Sequence, residues 1–84
     1  MAQVVVYSGP QCPYCDQAKA LLKRKNIDFE EHNVKEDSEK LAEMLERSGG
    51  RRTIPQIFIN GNHIGGCDDL YALDRAGKLD EFLA

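Results

Sequence analysis

Two cysteines separated by two residues are the part of this sequence most able to do chemistry. Cys12 and Cys15 belong to the tetrapeptide Cys-Pro-Tyr-Cys at 12–15, which follows an apolar run and precedes a segment with helical spacing. Residues at positions i and i+3 of a helix lie about 5–6 Å apart, within the Cα separation that a disulfide accepts. The pair can therefore form a disulfide and exchange it with other thiols.

The predicted position of Cys12 at the start of a helix distinguishes its sulfur from that of Cys15. Pro13 fits the first helical position, where the missing N–H of proline costs nothing. The free N–H groups of Tyr14 and Cys15 then point toward the Cys12 sulfur, and the helix dipole adds to their effect. Such surroundings lower a cysteine pKa from about 8.5 to about 3.5–7.5. We predict Cys12 as the nucleophile and Cys15, on the apolar helix face, as the resolving thiol of a redox-active disulfide.

Metal binding is the second chemistry that these residue types allow. His63 and Cys67, together with the pair, would supply enough ligands for zinc. The alternation of a strand already explains His63, however, and structural zinc sites usually lie on loops with their own tight turns. We predict no metal site, and two cysteines placed by chance at a helix start are the remaining interpretation.

The segments around the pair predict an α/β fold. A strand at 4–7 is followed by a helix at 13–25, a weaker strand within 27–34 and a helix at 38–48. Two strands at 57–59 and 63–64 flank an Asn-Gly turn, and helical segments follow at 68–75 and 78–83. Strands joined by a helix are parallel with a right-handed crossover. The expected fold is thioredoxin-like, with a four-stranded mixed sheet and helices on both faces.

The composition indicates an ordinary globular chain and excludes several classes of protein. With 84 residues, 42% of them hydrophobic, the chain is expected to form a single domain over 1–84. Its net charge of -3 comes from interspersed acids and bases, which favours no nucleic-acid partner. No apolar run approaches about 20 residues and no signal peptide is evident, so we expect no membrane partner and a cytoplasmic location. Three cysteines also do not suit a secreted disulfide framework.

Three motifs in this order resemble the glutaredoxin family, most of all its short bacterial dithiol members. They are Cys-Pro-Tyr-Cys at 12–15, Thr-Ile-Pro-Gln-Ile-Phe-Ile at 53–59 and Gly-Gly-Cys-Asp-Asp at 65–69, and the resemblance covers essentially the whole chain. It implies a monomeric, glutathione-dependent thiol-disulfide oxidoreductase that reduces protein disulfides and glutathione mixed disulfides. Glutathione would be the co-substrate, client proteins the partners, and no cofactor would be tightly bound.

The resemblance also implies a glutathione site. A cis bond before Pro55 would leave the backbone of Ile54 free to pair with the cysteine of glutathione by strand addition. Arg51, or alternatively Arg52, would pair with the glycyl carboxylate. The start of the last long helix would bind the γ-glutamyl end. The implied residues are Tyr14, Arg51, Thr53, Ile54, Pro55, Gly66, Cys67 and Asp68.

Read without the family, these same residues have simpler interpretations. Pro55 would stand in an ordinary trans turn, and Asp68 would stabilise the first turn of a helix. The arginines would be solvated loop charges and Tyr14 a surface aromatic. Cys67 would be a semi-buried, inert thiol.

One position departs from the family pattern, and two other functions remain open. Many glutaredoxins have a lysine three positions before the nucleophile, where this chain has Gly9, so Lys19 or the arginines are the cations left to assist the thiolate.

A thioredoxin-type reductase is one alternative function, although it would be expected to carry a tryptophan, and this chain has none. The other is an iron–sulfur cluster-binding module ligated by Cys12 and external glutathione.

Overall fold

A computed structural model describes residues 3–83 and contains four strands and four helices within that range. The strands are β1 (Val4–Ser8), β2 (Glu30–Asn33), β3 (Gln56–Ile59) and β4 (Asn62–Gly65). The helices are α1 (Pro13–Arg24), α2 (Ser38–Arg47), α3 (Cys67–Arg75) and α4 (Leu79–Leu83). Every predicted segment is present, and the weak one at 27–34 contracts to the four residues of β2.

The sheet is mixed, with the strand order β2-β1-β3-β4. β1 and β2 are parallel, and the other neighbouring pairs are antiparallel. The hairpin between β3 and β4 turns at Asn60 and Gly61, whose φ angles of 52° and 82° are those of the tight turn that the Asn-Gly pair predicts. The thioredoxin-like arrangement is confirmed.

Helices cover both faces of the sheet because the side chains of β1 alternate between two apolar clusters. One cluster packs between the sheet and helices α1 and α3, and the other packs between the sheet and α2. The first includes Val4, Val6, Ala18, Leu22, Ile57 and Leu70, and the second consists of Val5, Tyr7, Val34, Met44 and Phe58.

The topology brings three loops to one edge of the sheet. β1 ends at Ser8, which is level with Asn33 at the end of the parallel β2. β3 runs the opposite way, so its first residue, Gln56, pairs with Tyr7 near that same edge. The loop before α1, the loop before β3 and the start of α3 therefore meet there. No helix within residues 3–83 is long and apolar enough to cross a membrane.

Candidate active site

Cys12 is the N-cap of α1, as predicted. Its backbone is extended, with φ -119° and ψ 96°, and Pro13 follows as the first helical residue. The N–H of Cys15 donates a hydrogen bond to the Cys12 sulfur over 3.1 Å. Within residues 3–83 no corresponding bond is found from Tyr14, so one of the two expected amide donors is in place.

Cys12 and Cys15 are joined by a disulfide, with their Cα atoms 5.2 Å apart. This confirms them as a disulfide-forming pair at the start of a helix. Cys15 is fully buried, whereas Cys12 is only half-buried. An incoming thiol or disulfide can therefore reach the sulfur of Cys12 but not that of Cys15.

The loop before β3 lies against the Cys12 sulfur. The carbonyl oxygen of Ile54 is 3.9 Å from that sulfur. The peptide bond between Ile54 and Pro55 is cis, as the resemblance implied. The loop thus presents backbone groups beside the reactive disulfide.

A cleft of about 160 Å³ lies next to this loop. All eight residues that the resemblance implied for glutathione line it, together with Asp69. Of the two arginines, Arg51 lines the cleft and Arg52 does not. The lining residues are Tyr14, Arg51, Thr53, Ile54, Pro55, Gly66, Cys67, Asp68 and Asp69.

Asp69 is a cleft residue that the sequence did not single out for function. Its carboxylate accepts a hydrogen bond from the N–H of Gly66 over 2.9 Å and lies 3.9 Å from the guanidinium of Arg51. The signal for the first contact is its position three residues after the N-cap Gly66, where an acid commonly bonds back to the cap. The second contact joins segments distant in sequence and has no local signal.

Comparison with known proteins shows the family of this chain. The sequence model of the family described as Glutaredoxin matches residues 4–64. Glutaredoxin 3 of Escherichia coli strain K12 is 54% identical over 83 residues, which cover 99% of each chain. The solution structure of a glutaredoxin from Brucella melitensis is 57% identical, with a TM-score of 0.84, over 99% of this chain and 89% of that one.

The chain belongs to the glutaredoxin family. As a glutaredoxin with a disulfide-forming pair at the start of α1, it is a thiol-disulfide oxidoreductase. A further structural relative is a buckwheat glutaredoxin in complex with glutathione. It is 35% identical, with a TM-score of 0.85, over 95% of this chain and 74% of that one.

The cations around the active-site loop of this glutaredoxin differ from those expected. Lys19 forms an ion pair with Glu31, with its ammonium 2.8 Å from the carboxylate. Glu31 also accepts a hydrogen bond from the buried Ser8 hydroxyl over 2.6 Å. Ile54 and Lys35 fill the space beside Gly9, since the Cδ1 of Ile54 and the Cγ of Lys35 would lie 2.8 Å and 3.0 Å from a Cβ built at that position. No sequence motif indicates Lys35, because its contact depends on how the loop after β2 lies against the loop after β1.

Cys67 and His63, the other residues considered for zinc, have different surroundings in this glutaredoxin. Burial, with a smaller contribution from the charge of Asp68, raises the pKa of the Cys67 thiol, which is 5% exposed. The Nε2 atom of His63 lies 2.7 Å from the Gln56 side-chain oxygen. In the part of the chain that the structure describes, no group of three or more His, Cys, Asp or Glu residues is arranged to hold a metal ion.

Proposed function

We propose that this glutaredoxin uses glutathione to reduce glutathione mixed disulfides and protein disulfides. The observation that carries the proposal is the cleft beside Cys12, which collects all eight residues implied for glutathione from three separate segments of the chain. The buckwheat relative, whose structure is a complex with glutathione, supports the same ligand. The protein would act in the cytoplasm as a monomer.

The sulfur of the half-buried Cys12 performs the first step of this proposal. Its thiolate attacks the glutathione sulfur of a mixed disulfide, the client protein leaves as a thiolate that takes up a proton, and Cys12 becomes glutathionylated. A second glutathione thiolate then attacks the sulfur bound to Cys12. This step releases oxidised glutathione and restores the Cys12 thiolate, and an NADPH-dependent reductase recycles the glutathione.

Cys15 enters when the substrate is a disulfide within a client protein. Attack by Cys12 then leaves the client joined to Cys12 through a mixed disulfide. Cys15 loses its proton and displaces the client thiol, which leaves the Cys12–Cys15 disulfide found in the structure. Its complete burial keeps Cys15 from competing for external substrates.

The charges of the cleft suit the two ends of glutathione. Arg51 offers a cation to the glycyl carboxylate, and the start of α3 offers backbone N–H groups to the γ-glutamyl carboxylate, with Asp68 beside its ammonium. The pair between Arg51 and Asp69 is long, at 3.9 Å, and about half exposed. Exposed pairs of this kind contribute about 0–1 kcal/mol, so a bound carboxylate can compete for the guanidinium.

The test compares wild type with the Cys12→Ser and Cys15→Ser variants in glutathione-dependent reduction. Cys12→Ser is expected to be inactive on every substrate. Cys15→Ser is expected to retain activity on a glutathionylated peptide and to lose it on a protein disulfide. Activity that survives Cys12→Ser would overturn the assignment of the nucleophile.

Two further assays separate the alternatives. If a thioredoxin reductase with NADPH replaces glutathione as the more efficient electron donor, the protein is a thioredoxin-type reductase. Visible absorbance and iron content after anaerobic purification test for a cluster bound by Cys12 and glutathione, a function that neither the geometry of residues 3–83 nor the comparisons favour.

A further inference from the structure

One side chain outside the cleft is hydrogen-bonded to the loop that lines it, and a second side chain is hydrogen-bonded to the first. Gln56 is completely buried, and its amide nitrogen donates to the carbonyl oxygen of Thr53 over 2.9 Å and to the Thr53 hydroxyl over 3.0 Å. The amide oxygen of Gln56 lies 2.7 Å from Nε2 of His63. We propose that Gln56 and His63 are positioning residues, which orient the peptide between Thr53 and Ile54 for binding glutathione. This inference rests on the proposed function.

The hydrogen bonds fix the orientation of the Gln56 amide. A backbone carbonyl oxygen can only accept, so the nitrogen of the amide must face Thr53. The amide oxygen then faces His63, whose Nε2 must carry a hydrogen and donate it. His63 is held in place for this contact because its ring stacks on Phe58, with the ring centroids 4.8 Å apart and an interplanar angle of 26°.

Holding the carbonyl of Thr53 also sets the direction of the Ile54 N–H. The two groups belong to one planar peptide unit, and this unit is trans, since the cis bond is the next one along. In a trans peptide the C=O and N–H point in opposite directions. With the Thr53 carbonyl turned inward to the buried Gln56, the Ile54 N–H is turned outward, where no residue among 3–83 accepts a hydrogen bond from it. It is left free for a ligand.

The hydrogen bond from Gln56 also orients the Thr53 hydroxyl. Because its oxygen accepts from Gln56, its hydrogen is directed elsewhere, and Thr53 is an exposed residue of the cleft. The loop thus presents an amide N–H and a hydroxyl O–H, both donors. The acceptors of glutathione are its carboxylates and peptide carbonyls, so the complementary ligand groups are oxygen atoms of the glutathione backbone.

Stability of the adduct on Cys12 provides a direct test, in a Cys15→Ser background where no internal disulfide can form. Cys12 is equilibrated with oxidised and reduced glutathione, and in parallel with the oxidised and reduced forms of 2-mercaptoethanol, which has neither peptide groups nor carboxylates. Mass spectrometry gives the fraction of each adduct. The wild-type loop is expected to favour the glutathione adduct over the mercaptoethanol adduct.

Gln56→Met and His63→Phe are expected to lower that preference by about two- to tenfold, the range for loss of a hydrogen bond, and to leave the mercaptoethanol adduct unchanged. In steady-state assays they should raise KM for a glutathionylated peptide more than they lower kcat. His63→Gln retains a donor and should restore the preference. The matched control is His32→Phe, since His32 packs on Tyr7 with ring centroids 5.6 Å apart and makes no bond to Gln56.

The outcomes separate this inference from the proposed function. If the wild-type loop shows no preference for glutathione over mercaptoethanol, the proposed function itself fails. If the preference exists and both variants keep it while their thermal stability falls, Gln56 and His63 are merely structural and the positioning role is overturned. His63→Phe alone decides the matter if Gln56→Met does not fold, because His63 is an exposed residue on the edge strand β4.

Discussion

Replacement of Asp69 by alanine and by asparagine separates the two contacts that this carboxylate makes. It accepts the Gly66 N–H at the start of α3 over 2.9 Å and lies 3.9 Å from Arg51. Asparagine can still accept the N–H but has no charge, whereas alanine removes both contacts. The comparison therefore measures how much of the stability at this end of the cleft comes from hydrogen bonding and how much from charge.

The expected magnitudes follow from the geometry. Loss of a capping hydrogen bond costs about 0.5–2 kcal/mol, and loss of a negative charge near a helix N-terminus costs about 0.3–1 kcal/mol. The exposed pair with Arg51 adds about 0–1 kcal/mol. Asp69→Ala should therefore lose about 1–4 kcal/mol, with a fall in Tm of about 4–8 °C per kcal/mol for a domain of this size. Asp69→Asn should lose about 0.3–2 kcal/mol, from the charge at the helix start and the pair with Arg51 together.

Urea denaturation of the oxidised protein is the suitable assay, because the Cys12–Cys15 disulfide then remains the same in all three proteins. The urea concentration at the midpoint should be highest for wild type, lower for Asp69→Asn and lowest for Asp69→Ala. The slope of the unfolding free energy against urea concentration should not change. Equal destabilisation by asparagine and alanine would refute the capping role of Asp69. It would show that its charge, not its hydrogen bond to Gly66, stabilises the start of α3.

Three other predictions concern charge and thiol reactivity. Partial burial of its ring, followed by the charge of Arg51, lowers the pKa of His63 from its usual 6.5, and hydrogen bonds from Lys19 and Lys40 lower the pKa values of Glu31 and Glu43 from 4.5. As the pH falls, the unfolded chain therefore binds protons at these groups at a higher pH than the folded protein does. Tm should fall below about pH 6.5 and fall further below about pH 4.5, and a constant Tm across this range would contradict these shifts. Because Glu31 neutralises Lys19, Lys19→Gln should leave the Cys12 pKa unchanged in a thiolate absorbance titration, and an increase would show that Lys19 assists the thiolate after all. In the reduced protein iodoacetamide should modify Cys12 before the buried Cys67, as peptide mass spectrometry can show, and Cys67→Ser should keep full activity; faster labelling of Cys67 would argue against an inert thiol.

The sequence predicted the parts of the fold that have local causes. Asn60 and Gly61 specify the hairpin turn, Asp37 caps α2 by accepting from two of its first N–H groups, and Pro13 after Cys12 marks the start of α1. β2 was the weakest of the predicted strands. Among residues 3–83 it is a short edge strand that pairs with β1 alone, and it starts with exposed Glu30 and lacks the apolar alternation of a half-buried strand.

The contacts around the site that the sequence does not predict have no recognisable sequence signal. No motif assigns a role to Gln56, because none indicates that its amide nitrogen bonds to Thr53 three residues earlier while its oxygen meets His63 across the hairpin. The packing of Lys35 against Gly9 likewise depends on two loops that follow neighbouring parallel strands. The family motifs predicted the cleft residues. That these residues lie together in space follows from the order of the strands in the sheet, which the motifs do not contain.

The pKa of the Cys12 thiol decides whether this glutaredoxin attacks its substrates through a thiolate stabilised at the start of α1. The chain has three cysteines, so a Cys15→Ser, Cys67→Ser double variant retains Cys12 alone, and its thiolate absorbance can be followed against pH. We predict a value within the range of about 3.5–7.5 that is typical of cysteines at helix starts. A value at or above about 8.5, that of a free cysteine, would show that the start of α1 does not stabilise the thiolate.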